Sequence, residues 1–442
     1  MFARKKFISA KEVAQHLSSL ETRERLNLPA GTIHERTAVR WLQYLGYSWR
    51  HEPKGQYKDG HEREDVVDYR QNVFLPAWMR LTEGLTAFDD GNESSVILWF
   101  HDECTFYAND CRTLRWVHED EEPVPYPKGE GLSLMVADFA SAQYGWLRAP
   151  DGSSEARILF RAGKERDGYL KAQNIQDQAT LAMDILDAHY PGHKHVFIYD
   201  NAPTHLARAP NALSARRMPL HPPKKKNFLC PVKTSEGLTQ SVRMEDGTFP
   251  DGTPQSLYFP EGHPQAGLFK GMKEILHERI VKGALLPDPS TLLAQCPKFK
   301  CPSPMDTTVH CCCRRILFNQ PDFANRTSGL EEHCKARGYE VLFLPRFHCE
   351  LNFIEQCWAY AKRIYREFPP SPTLLDLERN AVAALDSVPL NAMRNFFRRS
   401  FRFMDAYRNG LNGTRAAWAC KKYRGHRVIP ESLLADMEAS GV

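Results

Sequence analysis

Apolar and polar positions along this chain follow two different periods. From Ser9 to Gly46 the period is helical. Ser9 can cap a helix starting at Ala10, with Val13, His16, Leu17 and Leu20 along one face. After a turn through Pro29, Ala30 and Gly31, Thr32 can cap a second helix. Its apolar side is Ile33, Val39, Leu42 and Leu45, and Gly46 supplies a stop. Two short helices across a turn, the second carrying Arg36, Arg40 and Trp41, fit a helix-turn-helix fragment; a plain helical packing unit fits as well. A polar linker, Glu52 to Gly60, leads to an amphipathic helix from about Glu62 to Leu81. Val66, Tyr69, Val73, Leu75 and Trp78 form its buried side, and Pro76 should kink or split it.

From Ser95 short apolar runs take over, at 96–100 (VILWF), 132–139 (LSLMVADF), 157–161 (RILFR), 195–200 (HVFIYD) and 341–345 (VLFLP). A helical pattern, Ala179 to Tyr190, precedes the fourth run, and another helix begins near Asn352 after the fifth. Strands alternating with helices predict an α/β core with a mixed sheet. Between about Arg208 and Glu340 the pattern breaks into a Pro- and Gly-rich stretch holding a cysteine cluster, which reads as an insertion into the α/β domain.

Length and composition narrow the class without naming the function. At 442 residues, 42% hydrophobic and 25% charged, the chain suits about two or three globular domains. Its longest apolar runs, about five residues, fall far short of the ~18 that a membrane span needs, and the basic start lacks the apolar stretch of a secretory signal. The net charge of +4 is unevenly placed. Residues 362 to 427 hold 14 Lys/Arg against 5 Asp/Glu, a local +9 that leaves −5 for the rest. A basic C-terminal quarter on a mildly acidic body points to a polyanionic partner.

Three acids stand out by position. Asp102 follows the first run, Asp200 ends the fourth, and Glu355 lies one turn into the helix after the fifth. Carboxylates at neighbouring strand ends converge on one sheet edge, where hard divalent cations bind through oxygen. Each also has a duller explanation. Either aspartate could start an Asx turn, and Asn352 with Glu355 could form a capping box.

The combination and order of the three runs change that weighing. The chain carries Trp99-Phe-His-Asp-Glu103, Ile198-Tyr-Asp-Asn-Ala-Pro-Thr-His205 and Leu351-Asn-Phe-Ile-Glu355, with Trp358 and Lys362 beyond. Over roughly residues 32 to 370 it resembles the Tc/mariner superfamily of transposases, whose DDE endonuclease domain has an RNase H-like fold. The resemblance implies that Asp102, Asp200 and Glu355 hold two Mg²⁺ (or Mn²⁺) ions, with His205 and Asn352 supporting them. It also implies double-stranded DNA, at transposon ends and target, as the partner, a homodimer as the assembly, and the nucleus as the compartment in a eukaryote. Two departures stand out. The second and third acids lie 155 positions apart, against a few tens in that family, and Phe353 replaces the usual Pro. The region ahead of the catalytic domain is also shorter than that family's, which suggests a truncated copy. The alternative is a catalytically inactive, transposase-derived DNA-binding protein.

Two further constellations carry chemistry. Cys296, Cys301, His310, Cys311, Cys312 and Cys313 offer six soft ligands within 18 residues. Cys296, Cys301, Cys311 and Cys313 are the expected set for a structural Zn²⁺, and free thiols in a loop are the plain alternative. In the C-terminal quarter, Phe396, Phe403 and Tyr407 should face the core. Arg394, Arg398, Arg399, Arg402 and Arg408 should point outward, with Arg398, Arg399 and Arg402 contacting phosphates beside the acids. The expected organisation is thus a helical remnant of a DNA-binding region (1–50), a linker and long helix (51–94), an RNase H-like α/β endonuclease domain (95–370) with its insertion (about 208–340), and a basic helical C-terminal region (371–442).

Overall fold

A computed structural model describes residues 9–27, 29, 31–47, 60–83, 96–110, 128–233, 238–302 and 308–423. The linker at 52–59 and the basic residues beyond 423 lie outside these. The chain divides into two compact units, Met1–Tyr57 and Lys58–Val442.

The first unit contains α1 (Ala10–Ser18), α2 (Leu20–Arg25) and α3 (Glu35–Tyr44). Ser9 caps α1 in a reciprocal capping box with Glu12. The second expected cap is displaced. Thr32 does not cap α3, because the Ile33 N–H bonds Ser18 Oγ at 2.8 Å and holds the chain extended as far as His34. The face shifts accordingly: Ala38 is the buried residue of α3, while Val39 and Leu45 are exposed. Gly46, at φ +81°, closes the helix as expected.

The second unit opens with α4 (Glu64–Tyr69) and α5 (Leu75–Thr82), joined by a π-helical turn over Arg70–Phe74. Pro76 lacks the N–H for a regular turn, and the ladder widens just before it. The widened turn rotates Val73 out to solvent, against expectation, while Val66, Leu75 and Trp78 stay buried. Next come β1 (Val96–Tyr107), β2 (Ser133–Ser141), β3 (Gly145–Trp146), β4 (Ile158–Phe160), α6 (Ala172–His189) and β5 (Lys194–Tyr199). A long excursion follows, with β6 (Cys230–Lys233), β7 (Thr239–Val242), β8 (Gly247–Thr248), β9 (Pro254–Gln255), α7 (Met272–Val281), α8 (Cys313–Phe318), α9 (Pro321–Ala324) and α10 (Gly329–Lys335). The chain then returns as β10 (Glu340–Phe343), α11 (Ile354–Tyr365), α12 (Leu374–Asp386), α13 (Leu390–Arg408) and α14 (Gly413–Lys422).

The six-stranded sheet runs β10–β5–β1–β2–β3, with β4 also on β2. β1 pairs antiparallel with β2 and parallel with β5, and β10 is parallel to β5. An antiparallel front half continued by two parallel strands is the RNase H-like arrangement. Alternation along β1 builds two cores. Leu98 and Phe100 join a cluster with residues of α5, α11, α12, α13 and α14, while Ile97 and Trp99 face α6 and α10. The C-terminal helices therefore share the sheet's own core. The excursion has a third core of its own, from Leu213 to Phe323, built around Tyr258, Phe269 and Ile316. Phe353, where a proline was the reference, is fully buried between Phe100 and Phe397, with ring centroids at 5.0 and 5.5 Å.

Candidate active site

Asp102 does not follow a strand, as its sequence setting suggested; it lies inside β1, which continues to Tyr107. The reason is that β1 has two partners of different reach. Pairing with β5 ends at Phe100↔Ile198, whereas pairing with β2 runs on to Tyr107↔Ser133. Asp102 thus sits just beyond the last β5 pair, and the same two-residue step past Ile198 reaches Asp200. The indole Nε1 of Trp358 on α11 donates to Asp102 Oδ2 at 3.0 Å. That bond ties the helix carrying Glu355 to the strand carrying Asp102. Trp358 is itself stacked on Trp146, centroids 5.1 Å apart.

The capping-box alternative for Glu355 is excluded. Helix α11 starts at Ile354, and the Asn352 side chain instead donates to the His101 carbonyl at 3.2 Å. Glu355 is left free to act as a carboxylate. Burial pushes the Asp102 carboxyl well above its ordinary range, and the charges of Glu355, Glu103 and Asp200 push it further. Glu355 is also raised, by burial and by Asp200, with Lys362 opposing. The three acids are therefore electrostatic neighbours.

His205 holds the second acid. Its Nδ1 lies 2.5 Å from Asp200 Oδ1 and its Nε2 3.1 Å from Glu103 Oε1. Both nitrogens face carboxylates, so both donate and the ring is an imidazolium. Burial opposes that charge, yet the two carboxylates outweigh it and raise the pKa to about 10. Asp200 is correspondingly held low: burial opposes, and the His205 bond and the Ala202 N–H prevail. His101 is the opposite case, fully buried and pushed down to about 4 by that burial. Its Nε2 donates to Gln178 Oε1 at 2.9 Å, since the Gln178 amide nitrogen is committed to the Ala156 carbonyl. Ligand atoms of His101, Glu103 and His205 lie within 4.8 Å of one another. A metal there would need His205 to give up a proton that two carboxylates hold.

Unsatisfied acceptors accompany the acids. Among the described residues, His101 Nδ1 and Asn352 Oδ1 are buried without a hydrogen-bond partner. Asp138, which faces Asp102 across the β1–β2 register, is tied off. Arg157 Nε reaches its Oδ2 at 2.7 Å, and Arg157 Nη1 reaches Asp386 at 3.0 Å.

A second polar network, not foreseen from sequence, lies behind the α11 start. Glu350 Oε1 accepts from His61 Nε2 at 3.0 Å, His348 Nδ1 at 2.8 Å and Tyr407 OH at 2.7 Å. His61 Nδ1 bonds Glu62 at 2.8 Å, and Arg70 Nη1 lies 3.2 Å from His348 Nε2. The proton inventory closes. His61 is charged and His348 neutral, so His61 and Arg70 balance Glu62 and Glu350. Ligand atoms of His61, His348 and Glu350 also cluster within 4.8 Å. A metal on His348 Nδ1 would, however, place the ring proton on Nε2, against the Arg70 donor. Gly413 closes this network: its N–H bonds Glu62 at 2.8 Å, and a Cβ there would lie 2.7 Å from His61 Cε1.

The sulfur cluster differs from expectation by one residue. Cys296, Cys301, Cys311 and Cys312 bring their sulfurs within 4.8 Å of one another. Cys313 is turned away, because it is the first residue of α8. Its side chain enters the core of the excursion, with Sγ 3.8 Å from the Pro289 carbonyl.

The arginines are placed unevenly. Arg36 and Arg40 are exposed on α3. Arg399 is exposed, and its Nη1 donates to Gln356 Oε1 at 3.1 Å, beside Glu355. Arg398 is half-buried and bonds Asn395 at 2.7 Å. Arg402, like Arg398, is half-buried and does not lie on an exposed face as expected. It packs inward near Cys420 and Tyr423, and burial lowers its pKa. Arg394 also turns inward, donating to the Ala142 carbonyl at 3.1 Å. Phe403 and Tyr407 are buried.

No helix of the described residues is long and apolar enough to cross a membrane. No protein-family profile and no curated protein sequence matches the chain. Among solved structures, it is similar to a Mos1 transposase paired-end complex with left transposon end. The identity is 9% and the TM-score 0.44, over 97% of this chain and 77% of that one. It is also similar to the Mos1 mariner paired end complex with Mn, at 14% identity and a TM-score of 0.31, over 47% of this chain and 51% of that one.

Proposed function

We propose that the chain is a DDE-type DNA transposase of the Tc/mariner kind, a metal-dependent endonuclease that cuts DNA at element ends and joins them to a target. The observation that carries this reading is the placement of Asp102 and Asp200 two residues past the last pair of β1 and β5, with Glu355 on the helix that Trp358 ties to Asp102. The mutual repulsion of these carboxylates fits Mg²⁺ or Mn²⁺ held by the three of them. Such ions, when bound, activate the attacking oxygen and stabilise the leaving oxygen of a phosphodiester.

The chain's own residues do the positioning. His205, charged across the physiological range, fixes one oxygen of Asp200 and leaves the other free. Its other nitrogen holds Glu103 through Oε1, so the two carboxylates are fixed on one charged ring. Trp358 sets the orientation of Asp102. Arg157 neutralises Asp138 and keeps it out of the site. Hydrolysis of a phosphodiester leaves a 3′-hydroxyl, and that hydroxyl can attack a target phosphodiester with loss of one target oxygen as leaving group. Duplex DNA is the partner, Arg399 flanks the site on the α13 side, and Arg36 and Arg40 are available on the first unit. A homodimer and a nuclear location belong to the same reading.

The test is duplex nicking with Mg²⁺ or Mn²⁺ by wild type and by Asp200→Asn. Nicking by the wild type that Asp200→Asn abolishes supports the reading. Equal nicking by both removes the acids from the chemistry. DNA binding without nicking by either favours the inactive DNA-binding alternative.

A further inference from the structure

The excursion between β5 and β10 poses a physical problem. It spans some 140 residues and contains few long elements, yet it has a core. The sulfur cluster lies where that core meets its least regular segment. Cys296 precedes a single 3₁₀ turn (Pro297–Phe299), Cys301 follows it, and Cys311 and Cys312 lead directly into α8. Within the turn, Lys298 adopts φ +53° and ψ +24°. A non-glycine residue in the left-handed region costs free energy and persists where its surroundings over-determine it.

From these residues we propose that Cys296, Cys301, Cys311 and Cys312 bind one structural Zn²⁺, which closes the 296–312 loop onto the first turn of α8. The geometry favours a single ion. Zn–S bonds of about 2.3 Å in a tetrahedron place the sulfurs ~3.8 Å apart, within the 4.8 Å spread of this cluster. Four sulfurs so close together leave no room for a cluster of several irons. The thiols are not joined in disulfides. With four protein ligands there is no open position, so the site is structural and not catalytic.

Binding requires the four thiols to release their protons and gives a unit of charge −2. Cations stand ready for it. Cys296, Cys301 and Cys312 line a cavity of about 930 Å³ together with Arg216, Arg314 and Arg315. Arg314 also explains what the ion would hold in place. Its guanidinium donates to the carbonyls of Ala215 and Met218 and to Gln295, so α8 is bound at once to the segment after Asp200 and to the cysteine loop. Securing the first turn of α8 thus secures the path by which the chain leaves the acid-bearing edge.

The test uses the full chain, purified under reducing conditions, with zinc measured by elemental analysis. Wild type should carry about one zinc per chain. Cys312→Ser should lose most of it, and Cys313→Ser, whose sulfur lies in the core, should keep it. Cobalt substituted for zinc should give the absorption of a tetrahedral thiolate site, which decides the point even if Cys312→Ser does not fold. Absence of metal, iron in place of zinc, a mass lower by the hydrogens of one or two disulfides, or equal loss in both variants would overturn the assignment. None of these readouts depends on DNA cleavage, so the site stands or falls apart from the proposed function.

Discussion

Replacing Asp102 by Asn should stabilise the metal-free protein while abolishing its response to magnesium. Asp102 is buried, and three other carboxylates raise its pKa after burial itself. Two like charges about 6 Å apart repel by ~3 kcal/mol at an effective dielectric near 20. The Glu103 backbone N–H returns part of this, and partial protonation of Asp102 returns more. A net gain of about 1–2 kcal/mol is expected in Asp102→Asn, because the amide oxygen can still accept from Trp358. Urea denaturation at neutral pH in EDTA measures it, and the gain should shrink as the pH falls and the wild-type carboxyl takes up its proton. The sign follows from linkage. A raised acid pKa means the folded state binds more protons than the unfolded one, so the wild type loses stability as pH rises. In magnesium at ten times its dissociation constant the wild type should recover ~1.4 kcal/mol and the variant nothing. A variant less stable than wild type in EDTA, or one equally stabilised by magnesium, would refute this account of the site.

Three further outcomes follow from named contacts. His61→Asn should cost about 3–5 kcal/mol near pH 5–6, since it leaves buried Glu350 short of a partner. Burial opposes the raised pKa of His61 but Glu350 and Glu62 outweigh it, so the wild-type advantage in pH-dependent denaturation should be full below about 6.5 and fade as pH rises through the folded value. Arg157→Met should destabilise by ~3–5 kcal/mol by stranding Asp138, and Asp138→Leu in the same chain should restore most of it in a double-mutant cycle. Arg399→Ala should flatten the slope of log DNA affinity against log salt by about 0.9, whereas inward-packed Arg402→Ala should leave the slope unchanged.

The sheet and the three acids were legible because each depends on short-range pattern. Apolar runs of strand length located five strands of the main sheet, and Asp102, Asp200 and Glu355 stand out through the resemblance of their three runs, in order, to the signatures of one family. What escaped was set by partners distant in sequence. The extension of β1 past Asp102 is due to β2, not to the composition of 101–107. The expected box of Asn352 and Glu355 has the right spacing, but the His101 carbonyl, 251 residues away, takes the Asn352 amide. Cys312 and Cys313 are chemically identical neighbours, and only the start of α8 decides which one faces the other sulfurs. His61 carried no signal at all; its meaning comes from Glu350 and Tyr407, both far along the chain. Arg402 looked like its neighbours on a helical wheel, but α14 covers it near Cys420.

The most direct test of the central claim is anomalous scattering from crystals of the protein soaked in Mn²⁺. The account predicts manganese bound by the carboxylates of Asp102, Asp200 and Glu355, lost in Asp200→Asn and replaceable by Mg²⁺. Manganese at His101, Glu103 and His205, or at His61, His348 and Glu350, with none on the three acids, would contradict it.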